Sequence, residues 1–597
     1  MHALTELIRM DMKPALGVTE PGAIALAVST ACRHLHGKAE KVELLLNSGI
    51  YKNAFTCGIP GTSHVGNAYA AALGALAADP DKSLLCLDGI TEEDVKAAEA
   101  MVKAGKITVH MSEITSRISI EARVVGGVHT ASCLIRDAHT HIVKVTADGR
   151  TVLDKTAGLT ELEGEAAVPV IHRYTLAQLA DYARTVPLEE ISFIRQAFTM
   201  NMALFQEGLD SPRTTFARVL LAMNGGKVFS EDVVKTAALI CNGAIEARVI
   251  GLDKPAMSIT GSGAHGIIAT LPLYAFYKVE HCSEEQLLRA TALSYLICMY
   301  IKEYSGKLSA FCGCAIAAGT GAACALVFLK GGDTAAMTKA LNNMASSITG
   351  MICDGGNQGC VMKGMTAVEM AFASAALALD DAYIFDAHGI NGATPEETMK
   401  NMGRIASPGM TERRKPLWTF SRTKTETSKR RKTDMEIRCA KPQDVDAIAH
   451  LEAVCFPQAE AATRESIEER VKAYPNHFFL LWDGDQLVSF VNGLVTDQPD
   501  LTDEMYEKAD MHQEDGAWQM IFGVDTDPHR RKQGLAGQVL EKFIDAAQKE
   551  GRQGVVLTCK DRLVHYYAKF GFVDEGISDS THGDVVWHQM RLTFNRK

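Results

Sequence analysis

Cys353-Asp-Gly-Gly-Asn-Gln-Gly-Cys360 places a thiol at each end of a segment built from turn-forming residues, and Cys312 lies upstream in Leu-Ser-Ala-Phe-Cys-Gly-Cys. Glycines, Asp354, Asn357 and Gln358 make this segment a poor helix or strand and a good exposed loop. Three thiolates are one fewer than a [4Fe–4S] cubane takes, and the iron left open is a Lewis acid able to bind substrate. Such an iron suits the removal of a poor leaving group such as hydroxide or sulfide, so the residues predict a lyase. Cys314 offers a fourth thiolate, which keeps structural zinc open as a reading, although zinc usually takes short paired spacings. Cys298 and Cys324 sit in apolar helical runs and are expected to act as small buried hydrophobes.

The elements that must position these thiols change character along the chain. Residues 1–165 read as an α+β domain. The apolar run Val42–Leu46 leads into a glycine-rich stretch through Gly66, and the small residues of Ala70–Ala78 suggest a tightly packed helix. Alternation over Ile107–Ile120, Ala122–Val128 and Ala131–Val145 predicts strands, with Ala147-Asp-Gly-Arg150 as a turn. Residues 166–405 read as a mainly α-helical domain that holds the cysteine triad at its breaks. Small residues such as those of Ala315–Cys324 would let its helices approach closely. A basic linker is expected over 406–434, since Thr411–Lys432 carries nine Lys/Arg against two Glu. A new periodic pattern starts at Met435 and predicts an independent domain over 435–597.

Composition bounds the function. A chain of 597 residues is long enough for several domains, and 47% hydrophobic with 22% charged residues is an ordinary globular balance. The net charge of −11 gives no reason to expect nucleic acid or an anionic membrane as partner. Fifteen cysteines without framework spacing point to a reduced, cytoplasmic chain. The opening residues break their apolar positions with charges, unlike a signal peptide, and the longest apolar run, Gly266–Tyr277, is too short to span a membrane. The partners expected are small molecules, with a homodimer as the assembly allowed for.

Five motifs in order, Gly17-Val-Thr-Glu-Pro21, Pro60-Gly-Thr-Ser-His-Val-Gly66, Ser262-Gly-Ala-His-Gly266, Leu308–Cys312 and Cys353–Cys360, carry a resemblance. Residues 1 to about 405 resemble the L-serine dehydratase/L-cysteine desulfidase family of iron–sulfur lyases. The resemblance implies that Cys312, Cys353 and Cys360 hold the cluster, and that L-serine or L-cysteine undergoes β-elimination to pyruvate and ammonia. Gly61, Thr62, Ser63, Ser262 and Gly263 suit capture of the substrate carboxylate. Lys52 is a candidate carboxylate partner or base, and His64 and His265 are further base candidates. The family commonly reads Gly-Cys-Thr-Glu-Pro where this chain has Val18, which weighs against desulfidation in particular. The alternative is a front module that keeps a cluster or zinc but has lost its catalysis.

In the rear segment, Asp527-Pro-His-Arg-Arg-Lys-Gln-Gly-Leu-Ala-Gly537 follows the strand-like Trp518–Val524 and precedes helical spacing at Leu535, Val539, Leu540, Phe543 and Ile544. A strand, a tight turn and a helix N-terminus make a phosphate cradle, and Arg531, Gly534, Ala536 and Gly537 are its candidate residues. A second strand, Gly554–Thr558, and Tyr567-Ala-Lys-Phe-Gly-Phe572 complete the pattern. Together they resemble the GCN5-related N-acetyltransferases (GNAT), α/β domains with a mixed central sheet, and Cys455-Phe-Pro-Gln-Ala-Glu-Ala-Ala462 looks like the arylalkylamine type. The resemblance implies acetyl-CoA as cosubstrate, a primary amine as acceptor and Tyr567 as the proton donor to the departing thiolate. The histidine pair that serotonin-type members carry before the pyrophosphate loop is missing, and Asp525, Glu514 or Asp515 are candidate substitutes.

Overall fold

The computed structural model describes the chain apart from Met1, Ser116, 157–167, 411–434, 458–459, Lys532, 581–584 and 595–597. It divides into two compact units, Met1–Ser421 and Arg422–Lys597. The expected end of the first domain near 165 and most of the expected linker lie outside the described residues. Residues 406–410 stay with the helical body, where Ala406 and Met410 are buried.

The strands of the first unit are β1 (Lys13–Leu16), β2 (Lys41–Leu46), β3 (Ile107–Met111), β4 (Ser119–Gly126), β5 (His129–Arg136), β6 (Ile142–Ala147), β7 (Arg150–Asp154) and β8 (Pro255–Ser258). Six of them form a sheet in the order β3-β2-β4-β5-β6-β7, while β1 pairs with β8. Burial alternates along β2 and β4, as the period-two direction of strand side chains requires. Helix α1 (Thr19–Arg33) packs on β4 and β5.

Three strand expectations need correction. Ile107–Ile120 is broken at 112–118, because β2 lies between β3 and β4 and the chain must cross it. Ala131–Val145 is two hairpin strands rather than one. Ala122–Val128 runs past the end of β4, and Val128 is 92% exposed in the turn that returns the chain to β5. The expected turn at Ala147–Arg150 does join β6 to β7, with Asp148 and Gly149 both at positive φ.

The helical body includes α2 (Val233–Val249), α3 (Gly263–Val279), α4 (Glu284–Ser305), α5 (Gly319–Leu329) and α6 (Gly359–Leu379). Ser283 and Gln286 close a capping box at the start of α4, worth about 1 kcal/mol against alanine at the cap. Small residues set the helix contacts. A Cβ on Gly266 would come within 1.9 Å of the Met257 carbonyl, and one on Gly321 within 2.3 Å of the Ser294 carbonyl. Among the described residues α6 alone is long and apolar enough to cross a bilayer by length and composition. It packs instead along α2 and α5 and buries Val361, Ala367, Val368 and Ala371.

The second unit contains β9 (Met435–Cys439), β10 (Phe478–Asp483), β11 (Gln486–Asn492), β12 (Val495–Thr496), β13 (Trp518–Ile521), β14 (Gly523–Thr526), β15 (Gly554–Cys559), β16 (Val573–Ile577) and β17 (His588–Thr593). They form two sheets, β14-β11-β10-β9 and β12-β13-β15-β17-β16, the second mixed because β13 and β15 run parallel. The single strand expected over Trp518–Val524 is therefore two. Phe522 interrupts it and bonds through its N–H to the Asn492 carbonyl at 2.8 Å. Beyond it β14 leaves β15 and pairs with β11. That parting opens a gap flanked by α7 (Val445–Cys455), α8 (Arg464–Ala473) and α9 (Leu535–Lys549), and α9 buries Leu535, Val539, Leu540 and Phe543 at the expected spacing.

Candidate active sites

Backbone pairing brings two of the three cysteines together. Cys312 N–H donates to the Met351 carbonyl at 2.8 Å and Cys353 N–H to the Ala310 carbonyl at 3.0 Å, so the two segments lie side by side. Asn357 then starts α6 by accepting from Gly359 N–H at 2.7 Å, which carries Cys360 into the first helical turn. Cys312, Cys353 and Cys360 all line one cavity of about 80 Å³, with Cys314 beside them and its sulfur 3.2 Å from that of Cys312. All four are free thiols. Burial pushes the Cys360 thiol up to about 12, and the neighbouring Cys312 and Cys353 add to it. Cys314, then burial, raises Cys312 well above the usual thiol range. Crowded, buried thiols resist ionisation until a cation arrives to hold the thiolates.

The opposite wall is charged. Glu20 belongs to the first motif and is buried at the start of α1. Its burial would raise the carboxyl, but His139, Asn53 and the charge of Arg248 override that and hold it at about 2. Asn53 Nδ2 donates to Glu20 Oε1 at 2.7 Å, and His139 Nε2 stands off at the ion-pair distance of 3.8 Å. Arg248 projects from the end of α2, is 4% exposed, and its Nε has no hydrogen-bond partner among the described residues. Gly263 makes room for it, since a Cβ there would lie 2.6 Å from that Nε. Ser262, the N-cap of α3, makes no side-chain capping bond and also lines the cavity.

His265 and Lys302 converge on Gly313, where a Cβ would lie 2.8 Å from His265 Nε2 and 3.1 Å from Lys302 Nζ. His265 Nδ1 is engaged by Thr260 Oγ1 at 2.5 Å. Burial first, then the charges of Lys302 and Arg248, keep His265 well below the usual imidazole range. Burial also lowers Lys302 to about 8.

The sequence-predicted residues therefore separate into two groups. Cys312, Cys353, Cys360, Ser262 and His265 line the cavity, with Gly263 packed on Arg248 behind it. Lys52 stands outside the lining and donates to the Cys353 carbonyl at 2.7 Å, a loop-holding contact. Gly61, Thr62 and Ser63 do not line the cavity; Thr62 Oγ1 bonds the Ile59 carbonyl and accepts from His64 N–H. His64 is stacked on Tyr69 and bonded to Glu99 at 2.8 Å. Arg248, Lys302, Asn53 and His139 were not picked out from the sequence. A charge inside a largely apolar helical run marks Arg248, near Glu246, and Lys302, next to Glu303; Asn53 and His139 carry no such mark.

In the second unit a cavity of about 520 Å³ occupies the gap between β14 and β15. Tyr567 lines it, and burial raises its phenol above the usual range, so the side chain stays protonated. Gly534 caps α9 in the left-handed conformation (φ 78°) with no side-chain bond, leaving the first amides of α9 without a side-chain cap. Arg531 Nε bonds the Thr526 carbonyl at 3.3 Å. Gly537 packs on Phe570, 3.2 Å from a Cβ placed there.

Of the three candidate bases, Glu514 is taken up by His512 at 2.9 Å and His477 at 3.4 Å, and neither it nor Asp515 lines the cavity. Asp525 is 1% exposed, and neither carboxyl oxygen has a hydrogen-bond partner among the described residues. Burial, then the neighbouring Glu452, raises it well above the usual carboxylate range. A Cβ on Gly523 would lie 2.8 Å from Asp525 Oδ2, 3.1 Å from Asn492 Nδ2 and 3.7 Å from Glu452 Oε2, which places the three groups together. Glu452 and Asn492 line the cavity.

Residues 81–416 match the family model described as serine dehydratase alpha chain, and residues 445–572 match the acetyltransferase (GNAT) family. A "UPF0597 protein" of Clostridium botulinum (strain Okra / Type B1) is 39% identical over 423 residues, covering 70% of this chain and 97% of that protein. One of Methanocella arvoryzae is 35% identical over 407 residues, covering 68% and 95%. Among solved structures, a GphF GNAT-like decarboxylase in complex with isobutyryl-CoA covers 26% of this chain and 98% of its own, at 23% identity and a TM-score of 0.24. Ard1 from Thermoplasma volcanium covers 27% and 99%, at 15% identity and a TM-score of 0.22.

Proposed function

We propose, for a chain that belongs to the serine dehydratase alpha chain family and carries a GNAT acetyltransferase domain behind it, a bifunctional enzyme. The front module eliminates water from L-serine, and less readily sulfide from L-cysteine, to give pyruvate and ammonia. The rear module transfers the acetyl group of acetyl-CoA to a small primary amine. The observation that carries the front reading is one cavity lined by Cys312, Cys353 and Cys360 together with Arg248, Glu20 and His265.

The donor set fits a [4Fe–4S] cluster. Four sulfurs face one cavity, and three thiolates with an open fourth position are what a Lewis-acid cluster needs. Among the described residues the only His, Cys, Asp or Glu group with all ligand atoms within 4.8 Å is His477, His512 and Glu514. The cavity thiols are thus spaced more widely than a single zinc with bonds of about 2.3 Å requires. Cys312, Cys353 and Cys360 would hold the cluster, which when bound supplies Lewis-acid activation of the leaving hydroxyl or thiol.

The chain's own residues do the rest. The Arg248 guanidinium takes the substrate carboxylate, aided by the N-terminus of α3 at Ser262. Glu20, ionised and anchored by Asn53, takes the ammonium. His265 Nε2 accepts the α-proton, and Lys302 behind it disfavours a charged imidazole before substrate binds. Loss of the proton and of the β-leaving group gives the enamine, which water converts to pyruvate and ammonia. Val18 lines the same cavity and would meet a Cβ on Gly356 at 3.1 Å, so no thiol acts from that position and serine is the favoured substrate.

In the rear module the amides after Arg531 hold the pyrophosphate, Glu452 receives the amine proton, and Tyr567 Oη protonates the departing CoA thiolate as the C–N bond replaces C–S. Replacing Tyr567 by Phe is expected to leave acetyl-CoA binding intact and to lower kcat about 100-fold, read by calorimetry and thiol release. Replacing Arg248 by Lys keeps the charge but loses the fork, and should raise KM for L-serine about 30-fold, from roughly 2 kcal/mol of charge-assisted hydrogen bonding, with a smaller change in kcat.

The direct test is a coupled pyruvate assay on protein reconstituted with iron and sulfide under anaerobic conditions. Pyruvate from L-serine, and less from L-cysteine, is the expected result. A fully loaded protein that yields pyruvate from neither supports a lapsed front module.

A further inference from the structure

The cavity in the second unit has an acidic character that a simple amine would not need. Glu452 lies 6% exposed on its inner wall, in contact with the Ala462 amide at 3.1 Å. Beside it Asn492 is 2% exposed, and its Oδ1 has no hydrogen-bond partner among the described residues. At the outer part of the same lining stand Glu465, Glu469 and Glu507, all exposed and none in an ion pair among the described residues. The cationic side chain in the lining, Arg470, is turned into the wall: it is 6% exposed, bonds the Tyr506 carbonyl at 2.6 Å and lies over the Phe522 ring at 5.0 Å.

We infer that the acceptor carries a second positive charge: a linear diamine or polyamine, with its reacting nitrogen at Glu452 and Asn492 and its distal ammonium at Glu465, Glu469 and Glu507. The inference rests on the acetyltransferase reading and deepens it. Phe456 and Phe522 supply apolar wall for the methylenes between the two charges. An α-amino acid would set its carboxylate against Glu452, and a monoamine would leave the outer carboxylates unused.

The test uses the full chain with saturating acetyl-CoA and follows CoA thiol release. Its acceptors are linear α,ω-diamines, alkyl monoamines of matched length and an α-amino acid. The diamine should exceed the matched monoamine at least tenfold in kcat/KM at low salt, and the advantage should shrink at high salt as exposed charges are screened. The triple variant Glu465→Gln, Glu469→Gln, Glu507→Gln should bring the diamine down to the monoamine, while unchanged acetyl-CoA affinity by calorimetry shows that it is folded. Equal efficiency of diamine and monoamine, or a diamine advantage that survives in the triple variant, overturns the second-charge inference and leaves the acetyltransferase reading standing. Absence of acetyl-CoA binding to the unaltered protein overturns both.

Discussion

Cys353→Ala should strip iron from the reconstituted protein and abolish pyruvate formation while leaving the fold in place. Cys353 is the triad member best suited to this experiment. Cys312 is 2% exposed, and removing its sulfur would also open a cavity in the core. Cys360 sits in the first turn of α6 and bonds the Gly355 carbonyl through its sulfur. Cys353 is only partly buried and lies in a loop held by its backbone, through its N–H to the Ala310 carbonyl and its carbonyl to Lys52 Nζ. Those contacts survive the substitution, so the thermal midpoint without iron should move little. Cys314→Ala, by contrast, should retain iron, because its sulfur lies beside that of Cys312 rather than across the cavity. Iron and sulfide content, with the visible absorbance of both variants after identical anaerobic reconstitution, decides the matter.

Gly534→Asp should abolish acetyl-CoA binding without unfolding the second unit. At φ 78° the position is left-handed, where a side chain costs about 1 kcal/mol, and Asp is among the residues that bear it best. Nothing lies within 4 Å of a Cβ built there, so no clash follows. The Asp carboxylate would stand beside the amides that open α9. A side chain and a negative charge would then occupy the approach to the amides proposed to hold the pyrophosphate. Calorimetry should show no acetyl-CoA heat, with a thermal midpoint within a few degrees of the unaltered protein.

Much of this arrangement was legible in the sequence because it is local. The turn chemistry of Cys353–Cys360, the alternation along β2 and β4, and the strand, turn and helix around Gly534 each depend on near neighbours. The break at Phe522 was not legible, because it depends on which strand lies alongside: β13 pairs with β15 and β14 with β11. The charged wall of the cavity was hidden for a related reason. Arg248 and Lys302 lie in helices buried on every side, so no amphipathic stripe marks their direction, and only the packing of α2, α3 and α4 brings them to the thiols. Conversely, Gly61–His64 read as a capture loop by composition, yet Thr62 and His64 spend their polar atoms on the Ile59 carbonyl, each other and Glu99.

On the proposed reading, Cys312, Cys353 and Cys360, and not Cys314, would hold the cluster, leaving one position through which it would supply Lewis-acid activation of the substrate. Mössbauer spectroscopy of ⁵⁷Fe-reconstituted protein, before and after addition of L-serine, tests it most directly. One iron site distinct from the other three is expected, with parameters that shift when serine binds while theirs do not. Four equivalent iron sites that ignore serine would contradict it, and would assign Cys314 as the fourth ligand of a closed, non-catalytic cluster.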